Sequence, residues 1–265
     1  KQLSLNASIR HLDVFRTNSI PSRARDAVAL ACNNGPGMQA RWGQQATQFL
    51  DDTAFIRVDN NPDSDFYAQP RMVSHIDFTA SATLGELYRQ LIPAGSEVLD
   101  LMASLHSHLS PGHAAELIGL GMNHQEMHAN PALTEHRVQD LNDSPGLPFA
   151  DKRFDAVICS LSVEYSTRPL ELFAEVARII RPGGKFIVTF SDRCFPSKAI
   201  RLWSELHPFE RMGLVADYFL HDGSYDALNT WSFRGLPRPP NDPYASQRNE
   251  SDPLFAVWGT RKDND

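Results

Sequence analysis

The stretch Val98–Pro111, which reads VLDLMASLHSHLSP, contains residues that could bind a ligand. A short apolar run leads to the carboxylate of Asp100, and such a run is the usual lead-in to a glycine-rich turn that holds a nucleotide. No glycine follows here until Gly112, and Ala103 and Ser104 stand in the turn. Because Ala and Ser are the next smallest residues, we expect the main chain still to approach a ligand, provided that its φ angles stay negative.

Two histidine pairs could bind a metal or transfer protons. His106 and His108 stand two residues apart in HSH, and His124 and His128 stand four apart in HQEMH. Glu126 lies in the middle of the second motif instead of directly after its first histidine, so the motif is not the HExxH zinc signature. No third ligand is evident for either pair, and we predict no metal site.

Composition excludes several classes of protein. The 265 residues are 42% hydrophobic, which suffices for one large core, and the net charge of -7 disfavours a nucleic-acid partner. Cys32, Cys159 and Cys194 are widely spaced without a CxxC pair, which argues against a disulfide framework. The sequence has no apolar run of the roughly 18 to 20 residues that cross a membrane. We expect a soluble, cytoplasmic protein; an organellar location stays open because the chain begins at Lys1.

The ligand-binding candidates lie in an alternation of short apolar strands and helices. Apolar residues at helical spacing predict helices over 78–92 and 169–180, the second stopped by Pro182-Gly183-Gly184. Strands apolar on both sides predict a buried, largely parallel sheet with helices on both faces. The Pro-rich connection before the last strand suits an antiparallel pair at the sheet edge. The predicted strands are Glu97–Leu101, Glu116–Met122, His136–Leu141, Phe154–Ser162, Lys185–Ser191, Ala227–Phe233 and Leu254–Thr260.

The stretch Leu147–Ser191 closely resembles the second half of class I S-adenosylmethionine-dependent methyltransferases, in the branch that acts on small molecules. LPF before an acidic turn, FD opening a strand, a helix, and RPGG leading into the next strand occur in that order at the family's spacing. With the strand at Glu97, the resemblance covers roughly residues 70 to 262. It implies a Rossmann-like α/β fold, a seven-stranded, mostly parallel sheet with an antiparallel last strand. Residues 1–66 are then an N-terminal extension or helical cap, and 67–265 form the methyltransferase domain.

The resemblance also implies that cofactor contacts follow the strands, and two of the family's positions differ here. The glycine-containing turn after the first strand is replaced by Met102, Ala103 and Ser104, and Gly121 stands where the family has the acidic residue that binds the ribose hydroxyls. Asn123 could supply those hydrogen bonds instead, while Met122 packs on the adenine. Asp140 follows the family pattern. The full predicted cofactor set is Tyr67, Arg71, Asp100, Met102, Ala103, Ser104, Gly121, Met122, Asn123, Gln139, Asp140, Leu141 and Ser160.

A segment before the first core helix is expected to fold over the cofactor. Tyr67 and Arg71 are candidates for closing this lid, with Arg71 on the cofactor carboxylate. The alternative is that Arg71 and His75 pair with Asp77 or cap the helix. A base is needed only where the methyl acceptor must lose a proton, and the candidates are His108 and Tyr165, followed by His75, His106 and Glu164.

Together these features predict an enzyme that transfers a methyl group from S-adenosylmethionine to a small molecule and releases S-adenosylhomocysteine. The alternative is a non-catalytic binding or scaffold protein on the same fold, which the missing glycine turn would also explain. Neither a nucleic acid nor a membrane is an expected partner. Cys159 is expected to be a buried inert thiol, and Cys194 to border the acceptor side of the pocket.

Overall fold

A computed structural model describes residue 50 and residues 53–263. Its centre is a seven-stranded sheet in the order β3-β2-β1-β4-β5-β7-β6. Of the strand pairings, only those that involve β7 are antiparallel, so β7 alone is reversed. The predicted fold class is therefore confirmed. The strands are β1 Glu97–Leu101, β2 Glu116–Gly121, β3 Glu135–Val138, β4 Phe154–Ser160, β5 Ile180–Phe190, β6 Tyr225–Phe233 and β7 Leu254–Arg261.

Apolar residues on both faces of the strands create two cores, one on each side of the sheet. Val98 belongs to one core and Leu99 to the other, as the alternation of side chains along a strand requires. Helix α2 covers the first core and helices α4 and α6 cover the second. The helices are α1 Asp63–Phe66, α2 Phe78–Leu91, α3 His124–His128, α4 Pro169–Ile179, α5 Arg201–Glu205 and α6 Pro208–Asp222, with a 3-10 turn at Val163–Tyr165.

The two predicted helices are confirmed, and local chemistry explains their ends. The Asp77 carboxylate caps α2 by accepting the backbone N–H groups of Thr79 and Ala80. Helix α4 starts with Pro169 at its first position. It ends at Ile179, because Pro182 cannot continue the hydrogen-bond ladder.

Several predicted strand ends were wrong by a few residues. The third strand ends at Val138 instead of Leu141, so Gln139 and Asp140 lie in the loop that follows it. The fifth strand begins at Ile180 and includes the Pro-Gly-Gly segment, with a register shift against β4. Helix α6 had no predicted counterpart. Tyr218 and Phe219 of α6 and Trp203 of the preceding helix α5 pack in the core.

Residues 53–66, which the sequence assigns to an extension, lie directly on the domain. Ala54 belongs to the core, and Arg57 pairs with Ile200 in an isolated bridge. The Arg57 guanidinium and the fully buried Lys198 ammonium both bind the Asp63 carboxylate, at 2.8 Å and 3.1 Å. The rest of the predicted cap, residues 1–49, lies outside the described residues.

The start of α2 is joined to the long connection between β6 and β7. The Asp252 carboxylate accepts the backbone N–H group of Asp77 at 2.9 Å, and the Asp77 carboxylate accepts that of Asp252 at 2.6 Å. The Ser251 hydroxyl also donates to Asp77, and the Arg238 guanidinium binds Asp252 at 2.5 Å. We call residues 235–253 the strap, because these bonds fix that connection across the N-terminus of α2.

The loop after β1 lies unusually close to the end of β2. A Cβ atom on Gly121 would lie 2.1 Å from the Ala103 carbonyl oxygen, which no side chain can tolerate. The Ala103 backbone N–H also donates to the Leu120 carbonyl at 3.0 Å. Met102 adopts the left-handed conformation with φ 55°, which Gly favours, whereas Ala103 and Ser104 do not. The glycine that this close approach needs is therefore on β2 and not in the loop.

We predict that Asp77→Ala destabilises the protein by about 2 kcal/mol, since it removes a helix cap and leaves buried donors without an acceptor. The matched control on the same helix is Arg89→Ala, which removes one exposed ion pair with Glu86 and should cost less than about 0.5 kcal/mol. Urea unfolding measures both. Equal effects of the two substitutions would contradict a structural role for Asp77.

Gly121→Ala is predicted to destabilise by about 1 to 3 kcal/mol, because its Cβ overlaps the Ala103 carbonyl. Gly121→Asp should do the same, although it restores the acidic residue of the family pattern. The control is Gly146→Ala, where a Cβ meets nothing within 4 Å and the change should stay within about 0.5 kcal/mol. Thermal unfolding of the three variants checks this, and a Gly121→Asp protein as stable as the parent would refute the close approach.

Candidate functional site

A cavity of about 970 Å³ opens at the carboxyl ends of the parallel strands. Loops after β1, β2, β3, β4 and β5 all contribute to its wall. The segment 67–81 and the strap residues 242–244 complete the wall from outside the sheet. This is the edge of an open α/β sheet where ligands bind, and the volume lies at the upper end of ordinary ligand pockets.

The structure brings every predicted site residue except Glu164 to this cavity. The predicted cofactor residues line it without exception, as do His108 and Tyr165. Their roles toward a ligand stay predictions. His75, His106 and Cys194 also line the cavity, whereas Glu164 lies fully buried behind Tyr165 with neither carboxylate oxygen hydrogen-bonded. Burial raises the pKa of Glu164 to about 7.

Asp100 presents an unsatisfied carboxylate at the centre of the cavity. It is 1% exposed, and its Oδ2 atom has no hydrogen-bond partner. Burial raises the pKa of Asp100 to about 7, and the neighbouring Ser107 hydroxyl lowers it only in part. A buried carboxylate without a partner is costly, which favours a cationic or hydrogen-donating ligand at this position.

Arg71 presents an unsatisfied cation to the same cavity. Its Nη2 atom donates to the Phe66 carbonyl at 3.0 Å, and its Nη1 atom is buried without a partner. The guanidinium lies over the Phe66 ring at 4.4 Å and the Phe195 ring at 5.1 Å. Neither Arg71 nor His75 is bonded to Asp77, whose carboxylate caps α2, so the alternative of a pairing with Asp77 is wrong.

Glu126 is the main site residue that the sequence did not reveal. Its buried carboxylate lines the cavity, accepting the Ser104 hydroxyl at 2.5 Å and the Arg71 backbone N–H at 2.6 Å. It follows Gly121, the last residue of β2, by five residues and lies in the HQEMH motif, whose sequence indicates no ligand other than a metal. Its position one turn into α3 was the available signal.

Asn123 holds the lid in place. Its Oδ1 atom caps α3 by accepting the N–H groups of Gln125 and Glu126, and its Nδ2 atom donates to the Tyr67 carbonyl at 2.9 Å. The amide therefore fixes both Glu126 and the segment that carries Tyr67. The Asn123 side chain is thus bonded to the protein itself, and the carboxylate that lines the cavity after β2 is that of Glu126.

The histidines of the cavity are held uncharged. The His108 ring lies 2.9 Å from the Ser81 hydroxyl through Nδ1, and burial lowers its pKa to about 3. Burial also lowers the pKa of His75 and of His106. Neither of these two rings has a hydrogen-bond partner among the described residues, so each has ring nitrogens available to a ligand. The Tyr165 hydroxyl instead accepts the Phe195 backbone N–H at 2.9 Å.

The residues of the cavity fit an S-adenosylmethionine molecule. Its amino-acid end carries one cation and one anion, and Asp100 and Arg71 each offer an unpaired group of the opposite sign. Glu126 and Asp140 add hydrogen-bond acceptors at the ends of β2 and β3. Among residues 50 and 53–263, no three His, Cys, Asp or Glu side chains are arranged to hold a metal ion. In that same part of the chain, no helix has the length and apolar character needed to cross a membrane.

Comparisons with known proteins agree with this architecture. Residues 104–188 match the family model described as a methyltransferase domain. An uncharacterized methyltransferase of Mycolicibacterium vanbaalenii is 33% identical over 144 residues, which are 53% of this chain and 48% of that protein. The ubiquinone/menaquinone biosynthesis C-methyltransferase UbiE of Roseobacter denitrificans is 39% identical over 75 residues, 27% of this chain and 29% of that one. The chain thus spans less than half the length of either relative.

A complex of the Haloferax volcanii Trm112 methyltransferase activator with a putative methyltransferase aligns with a TM-score of 0.49 and 17% identity, covering 69% of this chain and 90% of that one. The match over residues 104–188 shows that this part of the chain is similar to a methyltransferase domain, and the strand order with its reversed β7 is the order that the resemblance to class I S-adenosylmethionine-dependent methyltransferases implies.

Proposed function

We propose that the protein transfers a methyl group from S-adenosylmethionine to a small-molecule acceptor bound in this cavity. The observation that carries the proposal is the pair of unsatisfied buried groups, Asp100 Oδ2 and Arg71 Nη1, in one cavity. A free amino acid is a zwitterion, and its two charged ends would satisfy both groups. Buried polar atoms without partners are rare in folded proteins, so two of opposite sign favour a ligand with both charges.

S-adenosylmethionine is the cofactor of this family; when bound, it supplies an electrophilic methyl group on a sulfonium and leaves as S-adenosylhomocysteine. Asp100 would hold its ammonium group and Arg71 its carboxylate. Glu126 would accept hydrogen bonds from the ribose hydroxyls, in place of the acidic residue that Gly121 replaces. Asp140 would accept the adenine amine, and Met122 would pack against the ring.

Displacement of this kind needs alignment and a dry pocket more than it needs a reactive side chain. The cover formed by Tyr67, Arg71 and the strap would limit the access of water to the strand ends. Asn123 keeps this cover attached to α3, so that cofactor contacts and closure depend on one another. The net charge of -7 supports a small acceptor over a nucleic acid.

Where the acceptor must lose a proton, His75 is better placed to take it than His108 or Tyr165. The His75 ring has no hydrogen-bond partner among the described residues and lies edge-on to Phe195 at 5.8 Å between ring centres. By contrast, His108 Nδ1 is engaged by Ser81, and the Tyr165 hydroxyl is engaged by a backbone N–H group. Burial and the nearby Arg71 and Arg193 lower the pKa of His75, so it is uncharged and able to accept a proton at neutral pH.

The cofactor site is tested by the pH dependence of S-adenosylhomocysteine binding. The ionised form of Asp100 binds the ammonium group, and its pKa of about 7 means that the carboxylate is mostly protonated at pH 6. Affinity should therefore fall roughly tenfold between pH 8 and pH 6. Isothermal titration calorimetry measures this fall.

Asp100→Asn should weaken binding more than about tenfold and abolish the pH dependence, because no titrating carboxylate remains. The matched control is Asp140→Asn, which removes an acceptor elsewhere in the site and should leave the pH dependence intact. Absence of binding by the parent protein, or an unchanged pH dependence in Asp100→Asn, would refute the assigned site.

The assignment of His75 predicts a titration below its ordinary pKa of 6.5, because burial and two guanidinium groups disfavour its charged form. NMR of the imidazole resonances, with His75→Gln to identify the signal, measures this pKa in the folded protein. Titration in urea, where the ring is solvated, should return to about 6.5. A folded-state pKa at or above the value in urea would contradict an uncharged base.

A further inference from the structure

The half of the cavity that faces β4, β5 and the strap has aromatic walls and contains Arg193, a charged side chain that lacks full pairing and to which the proposed function assigns no role. Phe78, Phe195 and Tyr244 line this half. His75 and His106 also face it and are uncharged, because burial lowers the pKa of both. Together with Arg193, these groups form the surface left to an acceptor when the cofactor occupies the ends of β1, β2 and β3.

Carboxylates near this half are already committed to other partners. Asp242 accepts the Arg238 guanidinium and the Tyr244 backbone N–H, both at 2.9 Å. Asp252, behind it, binds Arg238 at 2.5 Å and the Asp77 backbone N–H at 2.9 Å. A cationic acceptor would meet the Arg238 guanidinium, which already pairs with both carboxylates, and the two like charges would repel each other.

Arg193 differs because most of its hydrogen-bonding capacity is unused. Among the residues that the structure describes, its one ion pair is a long contact of 3.4 Å from Nη1 to Asp252 Oδ2. The guanidinium lies over the Tyr244 ring at 4.7 Å, which holds it at the cavity wall. A guanidinium has five N–H donors, so a fork of donors remains for a ligand, and that geometry matches a carboxylate.

We infer that the methyl acceptor is a hydrophobic organic acid whose carboxylate binds Arg193 and whose apolar body lies against Phe78, Phe195 and Tyr244. The inference rests on the proposed function, which assigns the other half of the cavity to the cofactor. The Arg193 site should therefore bind an acid more tightly than the amide of the same shape and more tightly than the corresponding amine.

The test measures equilibrium binding of matched probes to the protein saturated with S-adenosylhomocysteine. Two sets are used: phenylacetate, phenylacetamide and phenethylamine, and benzoate, benzamide and benzylamine. The acid of at least one set should bind roughly tenfold or more tightly than its amide and its amine, the size of one hydrogen-bonded charge. Failure of both acids to bind, or binding equal to that of the amide or amine, overturns the inference.

Arg193→Gln should remove the preference by weakening the acid roughly tenfold while leaving the amide unchanged, and Arg193→Lys should restore part of it. The control is Arg248→Gln on the strap, which removes a charge that contacts the same Asp252 but does not line the cavity. An equal loss in both variants would mean a general charge effect and overturn the role of Arg193. Unchanged S-adenosylhomocysteine binding shows that each variant is folded.

The cofactor measurement separates the two proposals. A protein that fails to bind S-adenosylhomocysteine contradicts the proposed function, and with it the acid site. A protein that binds S-adenosylhomocysteine but shows no preference for acids contradicts only the acceptor class.

Discussion

The contact between the Ala103 carbonyl and Gly121 determines how this site is built. The oxygen occupies the volume where any other residue at position 121 would place its Cβ, so the loop after β1 lies directly on the end of β2. No carboxylate can stand at position 121 in this arrangement. The cavity carboxylate that follows β2 is instead that of Glu126, one turn into α3, which accepts the hydroxyl of Ser104 in the same loop. The two departures from the family pattern are therefore parts of one rearrangement.

Buried polar groups in this protein divide into those with partners and those without. Asp63, Asp77 and Asp252 are fully engaged by backbone N–H groups, hydroxyls and buried cations, and they fasten the N-terminal segment and the strap to the core. Asp100 and Arg71 keep unsatisfied atoms and face the cavity. Burial without a partner costs stability, and at Asp100 and Arg71 a ligand can relieve that cost because both side chains line the cavity.

The segments that cover the cavity are also held by hydrogen bonds from buried polar side chains. Asn123 connects α3 to the segment that carries Tyr67, while Asp77 connects α2 to the strap. Both side chains are helix caps that also hold a covering segment. Since each cap stabilises a helix whose N-terminus lies at the strand ends, the cover is positioned by the elements that form the site.

The sequence by itself determined the class of fold and the neighbourhood of the site. Strands that are apolar on both faces, two amphipathic helices and the order of turn motifs suffice for an alternating α/β sheet, and in such a sheet the residues after each strand must meet at one edge. That is why Asp100, Asp140 and Ser160 could be named without coordinates. Strand ends were predicted less accurately, because strand propensity changes gradually along the sequence whereas pairing stops at one residue. The third strand was predicted to end at Leu141 but ends at Val138.

Only the tertiary structure decided which side chains are free to act. Asn123 and Glu126 are both plausible ligands by type, yet packing commits the amide of Asn123 to two backbone segments, while the Glu126 carboxylate lines the cavity with one protein hydrogen bond on each oxygen. His75 and His108 differ likewise through a single contact with Ser81. Arg193 and the strap are brought to the site by pairing between residues far apart in sequence, such as Asp77 and Asp252. Local sequence encodes residue type and spacing, whereas the partner that satisfies each polar group is set by long-range packing.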